Sequence, residues 1–293
     1  MTRPSHFPDG FPGCAARDVV LADGVRLRLV EAGPADGPPV LLVHGFGASA
    51  FQWRELMPRL AAAGWHVLAP DLPGHGFSQL AMPDGEYSRE ACARRMWMLL
   101  DALGVTRAPI VGHSMGGAVA AEMNWRHPER VARLALLSPA GFGRVPTRAA
   151  LTNYVPDALA PFAQPFASVA AARLILGDVY GPDSSWTADD ERELLAPYAQ
   201  PEIYRSMLRT LKEFDFRLHR PEALSRLCPG TLVIFGTHDK VVSPVDVEPR
   251  VQAIPGGRLV MLERVGHLPH VEAAAEVAAL IEEHLRPVRL AGA

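Results

Sequence analysis

The pattern of hydrophobic positions changes character along the chain. Near the start, residues 19–21 and 25–30 flank Asp23-Gly24, which predicts a β-hairpin. In the second run Val25, Leu27 and Leu29 alternate with Arg26 and Arg28. One face of that strand is therefore wet, which suits antiparallel pairing. After the turn cluster 33–39 the alternation stops. Residues 40–43 are a continuous apolar run ending at His44-Gly45, and residues 51–63 have helical spacing up to Gly64. Residues 67–69 form a short strand ending at Pro70-Asp71. A helix follows over 89–103, then a strand end at 110–111, a helix over 115–127 and a strand over 131–137. Fully apolar strands alternating with helices predict a parallel sheet covered on both faces. Right-handed crossovers then gather the strand C-termini and their loops along one edge.

Between about residues 140 and 227 this alternation breaks down. Prolines recur (Pro146, Pro156, Pro161, Pro165, Pro182, Pro197, Pro201, Pro221), helical pieces occur at 167–176 and 188–195, and no strand pattern is evident. The alternation resumes over 231–235, 244–254, 258–262 and 273–285. The expected organisation is a core of residues 1–140 and 228–293, opened by a loose arm over 1–14, with a helical insertion over 141–227.

Composition narrows the function classes. The chain of 293 residues has 48% hydrophobic and 21% charged residues, and a formal net charge of -3 without a basic block. Neither nucleic acid nor an anionic membrane is expected as a partner. No stretch approaches the roughly 18 apolar residues of a membrane span. The first 14 residues lack the apolar run of a signal peptide. Cys14, Cys92 and Cys228 are scattered, with neither metal-ligand spacing nor a disulfide framework, so they read as small hydrophobes in a reducing compartment. The cytoplasm is the expected location.

Four segments carry chemistry. Gly112-His113-Ser114-Met115-Gly116 follows a strand and opens a helix, the context in which G-x-S-x-G exposes a nucleophilic serine on a tight turn. A serine N-cap on a glycine-rich turn gives the same five letters; the strand and helix around them favour the nucleophile. His44-Gly45-Phe46-Gly47 ends the first parallel strand. Its Phe46 N–H, with that of Met115, is the expected donor pair for an oxyanion, and His44 itself reads as structural. Gly236-Thr237-His238-Asp239 ends another strand and offers Asp239 to orient a base; a surface turn or helix cap before Pro244 is the plain alternative. Val265-Gly266-His267-Leu268-Pro269-His270 offers two imidazoles. His267, in the loop after a glycine, is the expected base, and His270, nearer a helix start, the one that caps or packs. A serine needs such a base at neutral pH.

These segments, with Asp71-Leu72-Pro73-Gly74-His75-Gly76-Phe77-Ser78, resemble the α/β-hydrolase superfamily over nearly the whole chain. The resemblance implies an α/β class fold: an eight-stranded, mostly parallel sheet flanked by helices, with an inserted helical cap. It implies an architectural part for Asp71, His75 and Ser78. Ser114 stands where epoxide hydrolases and haloalkane dehalogenases carry Asp. Phe46-Gly47 stands where haloperoxidase-like members often carry Pro. Carboxylesterases, carbon–carbon bond hydrolases of ring-cleavage products, lactonases and aminopeptidases remain. Aminopeptidases place acids in the cap to hold an amine. Here Asp157, Asp178, Asp183, Asp189, Asp190, Glu191 and Glu193 mostly cluster as a helix start and read as solvated. Phe142, Tyr154, Phe162, Phe166 and Trp186 would either pack the cap or face the serine with an apolar wall, and Trp53 either lines the pocket or packs.

The expected function is hydrolysis of a small, largely apolar carboxylic ester through Ser114, His267 and Asp239. The N–H groups of Phe46 and Met115 take the oxyanion, and no cofactor or metal is needed. Carbon–carbon bond cleavage by the same groups, or a non-turning binding or accessory role on the same fold, are the alternatives.

Overall fold

The structure is a computed structural model that describes Phe7 and residues 13–144, 176–217 and 221–291. Its strands are β1 (Cys14–Val20), β2 (Arg26–Ala32), β3 (Pro39–Val43), β4 (His66–Pro70), β5 (Ala108–His113), β6 (Val131–Leu137), β7 (Leu232–Gly236) and β8 (Arg258–Leu262). They form one eight-stranded sheet in the order β1-β2-β4-β3-β5-β6-β7-β8. The first two pairings, β1 with β2 and β2 with β4, are antiparallel, and every pairing from β4 through β8 is parallel. The hairpin closes where expected: Leu21 N donates to Val25 O at 2.8 Å, and Gly24 takes φ +82 in the turn. Strand β1 starts earlier than its apolar residues suggest. Cys14 already pairs with Ala32, so the loose arm ends before Cys14.

The continuous apolar strands are buried on both faces because each residue faces one of two cores. Leu41 and Val43 lie in the core under α2 (Arg89–Ala102) and α3 (Met115–Arg126). Val40 and Leu42 lie in the opposite core, with Met57 and Leu60 of α1 (Met57–Ala62) and with Val277, Ile281 and Leu285 of the C-terminal helix Ala274–Ala291. Period-two alternation sends neighbouring side chains to opposite faces, so neither face of this strand tolerates a polar residue.

One expected helix is broken. Residues 51–63 divide into a single 3-10 turn, Ala50–Trp53, and α1. Pro58 lacks an N–H and is accommodated only in a first helical turn, so a new helix start forms around it. Residues 176–217 contain α4 (Ala188–Leu195) and α5 (Ile203–Glu213) and no strand among the described residues. Thr187 caps α4 reciprocally with Asp190. The acids there are not simply solvated, as expected from the sequence. Asp190 pairs with buried Arg54 at 2.6 Å, and Glu191 and Glu193 are buried, the former accepting from Trp186 Nε1 at 2.8 Å. The helical faces of α4 pack inward, and these carboxylates find donors there. The expected helix over 167–176 lies almost entirely outside the described residues.

Candidate active site

Ser114 sits between the last residue of β5 and the first of α3, with φ +51 and ψ -118. That backbone conformation costs a non-glycine residue about 1–3 kcal/mol, and it persists only where the surroundings enforce it. Here they do. Ser114 N donates to Leu137 O at 3.0 Å, and Ser114 O accepts from Gly117 N and Ala140 N, both at 2.9 Å. The flanking glycines are needed for closeness rather than for φ. A Cβ on Gly116 would stand 2.1 Å from Val43 O and 2.4 Å from His44 O; one on Gly112 would stand 2.5 Å from Gly116 O. These are backbone atoms that have no rotamer to escape into. Gly116→Ala is therefore expected to cost about 3 kcal/mol or more and to lower the thermal midpoint by about 5 °C or more. Gly177, with open space around its Cβ position, supplies the control: Gly177→Ala should leave the midpoint unchanged or slightly raised in the same melting experiment.

Asp239 follows β7 and His267 follows β8. Asp239 is buried, and each carboxylate oxygen has its own work. Oδ1 accepts from Val241 N at 2.9 Å and Val242 N at 2.8 Å, while Oδ2 accepts from His267 Nδ1 at 2.8 Å. The carboxylate therefore fixes the proton on Nδ1 and leaves Nε2 as the basic nitrogen of His267. The loop carrying His267 meets the serine turn directly. The ring of His113, the residue before Ser114, lies 4.7 Å from the His267 ring, and His113 Nε2 donates to His267 O at 2.7 Å. Ser114 Oγ makes no hydrogen bond among the described residues. A serine–histidine bond commonly tightens only when substrate is bound.

The loop after β3 lies against the same serine. A Cβ on Gly45 would be 3.3 Å from Ser114 Cβ. Gln52 Oε1 accepts from Gly45 N at 3.0 Å, and His44 Nε2 accepts from Leu72 N at 2.8 Å while its Nδ1 donates to Gly45 O at 2.8 Å. The N–H groups of Phe46 and Met115 have no protein acceptor among the described residues. A helix N-terminus with free N–H groups beside a strained serine is suited to negative charge.

Residues 38–274 match the alpha/beta hydrolase fold family. The chain belongs to that family. It is a hydrolase. It is 31% identical over 296 residues to a 2-hydroxymuconate semialdehyde hydrolase from a Pseudomonas species, covering 97% of each chain. It is also 31% identical over 271 residues to a pimeloyl-[acyl-carrier protein] methyl ester esterase from Neisseria meningitidis, covering 90% of this chain and 99% of that one. Among solved structures it is similar to a meta-cleavage product hydrolase from Pseudomonas fluorescens, with TM-score 0.78, 27% identity, and coverage of 93% and 98% of the two chains.

Several side chains of this hydrolase support the site without a motif to announce them. Glu272 accepts from Gly266 N and Leu268 N, on both sides of His267, and from Gly181 N and Ser184 Oγ at 2.7 Å each. Tyr198 donates to Gly47 O at 2.9 Å, and Gln200 Nε2 donates to Gly76 O at 2.7 Å, so the helical segment grips two loops of the core. Phe46 packs against the cluster of Leu80, Ile203 and Met207, as do Tyr198 and Tyr204, and meets Phe216 edge-on at 6.4 Å. The only sequence signal for these contacts is residue type, because most of the partners stand on other loops and helices, 151 positions away for Tyr198 and Gly47 and 91 for Glu272 and Gly181.

The residues singled out from the sequence divide plainly. Ser114, His267, Asp239, Phe46 and Met115 come together at one edge of the sheet. Asp71 is buried, accepting from Ala50 N at 2.6 Å and Phe77 N at 2.8 Å, and Ser78 Oγ donates to Asp71 O at 2.7 Å, so both hold the loop. Burial pushes the Asp71 carboxyl up despite the Arg28 guanidinium nearby. Desolvation holds His44 down to about 4 and His75 down to about 3, which keeps both neutral. The buried rings of Trp53 and His270 meet at 4.5 Å, tilted by 40°, and neither nitrogen of His270 has a hydrogen-bond partner. Phe142 is core packing, and Trp186 packs on Tyr180 at 5.5 Å. Tyr154, Phe162 and Phe166 lie outside the described residues. Among the described residues, no group of three or more His, Cys, Asp or Glu could hold a metal ion, and no helix is long and apolar enough to cross a membrane.

Proposed function

We propose that this hydrolase cleaves a small, largely apolar carboxylic ester, with residues 141–227 acting as a helical cap over the serine. The observation that carries the reading is the Asp239–His267 pair, with a single tautomer fixed, set beside the strained turn of Ser114. Ser114 Oγ attacks the carbonyl carbon while His267 Nε2 takes its proton. The tetrahedral oxygen is held by the N–H groups of Phe46 and Met115, each such donor being worth roughly 3 kcal/mol in the transition state. His267 then returns the proton to the leaving alcohol, and water repeats the sequence on the acyl-enzyme. The apolar wall around Phe46 supports an apolar acyl or alcohol group.

Carbon–carbon bond cleavage of a ring-cleavage product is the second reading. The near full-length similarity to the 2-hydroxymuconate semialdehyde hydrolase favours it. The same serine, base and donors serve a ketone carbonyl.

A panel of nitrophenyl esters from acetyl to palmitoyl, run beside a 2-hydroxy-6-oxo-dienoate, decides between them. The ester reading expects turnover of short and medium chains, with kcat/KM for butyryl at least about tenfold above palmitoyl. Inactivity on every ester with turnover of the dienoate transfers the assignment to the second reading. Inactivity on both sinks the catalytic assignment.

A further inference from the structure

The G-x-S-x-G form leaves the residue between the first glycine and the serine unspecified. In this chain it is His113, and its imidazole does something the motif does not require. His113 is fully buried at the end of β5. Its Nε2 donates to the backbone carbonyl of His267 at 2.7 Å, and its ring packs between those of His267 and His270, 4.7 Å from each. The other ring nitrogen, Nδ1, has no partner, so the proton must reside on Nε2.

The peptide of His267 is thereby held from two directions. Its N–H donates to Val179 O at 2.7 Å, and its C=O accepts from His113. The side chain is held by Asp239. Rotation about Cα is the remaining freedom of a loop residue, and these three bonds remove it. Burial and the neighbouring imidazoles keep His113 neutral. It can therefore sit in contact with His267 while that ring becomes cationic, without adding a second positive charge.

We propose that His113 is a positioning residue: it ties the loop bearing the base to the turn bearing the nucleophile, so that Ser114 and His267 keep one relative placement through the cycle. This rests on the reading of Ser114 and His267 as nucleophile and base. The link joins residues 154 positions apart through one side chain, adjacent in sequence to the nucleophile and ending on the base's own carbonyl.

The test compares three variants. His113→Gln places an amide N–H near the Nε2 position, His113→Asn places it near Nδ1 and out of reach of His267 O, and His113→Phe keeps the ring without a donor. Each is checked for folding by circular dichroism. Turnover of the best nitrophenyl ester is measured with the rate of fluorophosphonate labelling of Ser114. His113→Phe and His113→Asn are expected to lose about ten- to a hundredfold in kcat and in labelling rate, with KM within about twofold. His113→Gln should recover at least tenfold of that loss. The downfield proton resonance of His267 Nδ1–H should be sharp in the wild type and His113→Gln and broadened in His113→Asn.

Equal activity of the folded Gln and Asn variants overturns the proposal, since packing alone would then explain the residue. So does a His113→Phe protein with wild-type kcat and labelling. If His113→Phe fails to fold, the Gln and Asn comparison decides by itself. Failure of the wild type to label at all is a different result: it removes the nucleophile assignment, independently of anything His113 does.

Discussion

Ser114→Ala is expected to lose roughly 10⁵- to 10⁶-fold in kcat, with the melting midpoint unchanged. The rate loss follows from the mechanism, because the acyl-enzyme cannot form without the hydroxyl. The unchanged stability follows from the backbone. Alanine has the same Cβ as serine and suffers the same conflict at φ +51 and ψ -118. Ser114 Oγ makes no hydrogen bond among the described residues, so little is lost by removing it. Ser114→Gly separates the two effects. Glycine occupies this conformation freely, and relief of part of the strain should make the inactive protein more stable, by about 1 kcal/mol. Steady-state ester hydrolysis and thermal melting of the three proteins measure both. A Ser114→Gly protein less stable than Ser114→Ala would show that the turn is not strained. Appreciable turnover by either variant would remove Ser114 from the reaction.

The second large effect is on acid stability. His44, His75, His113 and His270 are buried, and desolvation lowers all four, His44 to about 4 and His75 to about 3. In the unfolded chain each titrates near the ordinary histidine value of about 6.5. As pH falls below that value the unfolded chain takes up protons that the folded protein refuses. Their contribution is intact above about pH 6.5 and is lost progressively as pH falls toward the depressed folded value of each group, about 4 for His44 and about 3 for His75. Each imidazole lowers stability by up to about 1.4 kcal/mol per pH unit in that window. Asp71, raised by burial, acts in the opposite sense and offsets part of this at the acid end. A protein with 5–15 kcal/mol of stability cannot sustain several such groups for long. Unfolding without denaturant is expected between about pH 4 and 5.5. Urea midpoints measured from pH 7.5 to 5 should fall steeply. His270→Phe should make the slope shallower by about one imidazole's share, because neither ring nitrogen of His270 has a partner to lose. The same variant should keep most of its turnover, since His267 and not His270 meets Asp239. A midpoint flat across that range would mean that these rings are hydrated and protonated in the folded protein.

The sequence by itself determined the class of fold and the loops on which the candidate residues stand, and the physical reason is that both are local. An apolar run such as 40–43 is buried on both faces whatever surrounds it, and a glycine pair around Ser114 marks a turn that only small residues can make. The residues after β3, β5, β7 and β8 fall on one edge because parallel strands with right-handed crossovers leave no other place for them. Local signals failed where the deciding partner was distant. In α4, which looks like a solvated helix start, Asp189 is exposed, but Asp190 pairs with Arg54 and Glu191 and Glu193 are buried; the break of the 51–63 helix, by contrast, had a local cause in Pro58.

The sequence favoured His267 over His270 by its place in the loop, and tertiary structure shows what separates them. The choice rests on burial: His270 is carried into the core against Trp53, and His267 is left facing Asp239. Tertiary structure likewise decided the supports of the site. His113, Glu272 and Tyr198 act through hydrogen bonds to main-chain atoms, whose chemistry is the same at every residue, and so no side-chain pattern in the sequence foretells them.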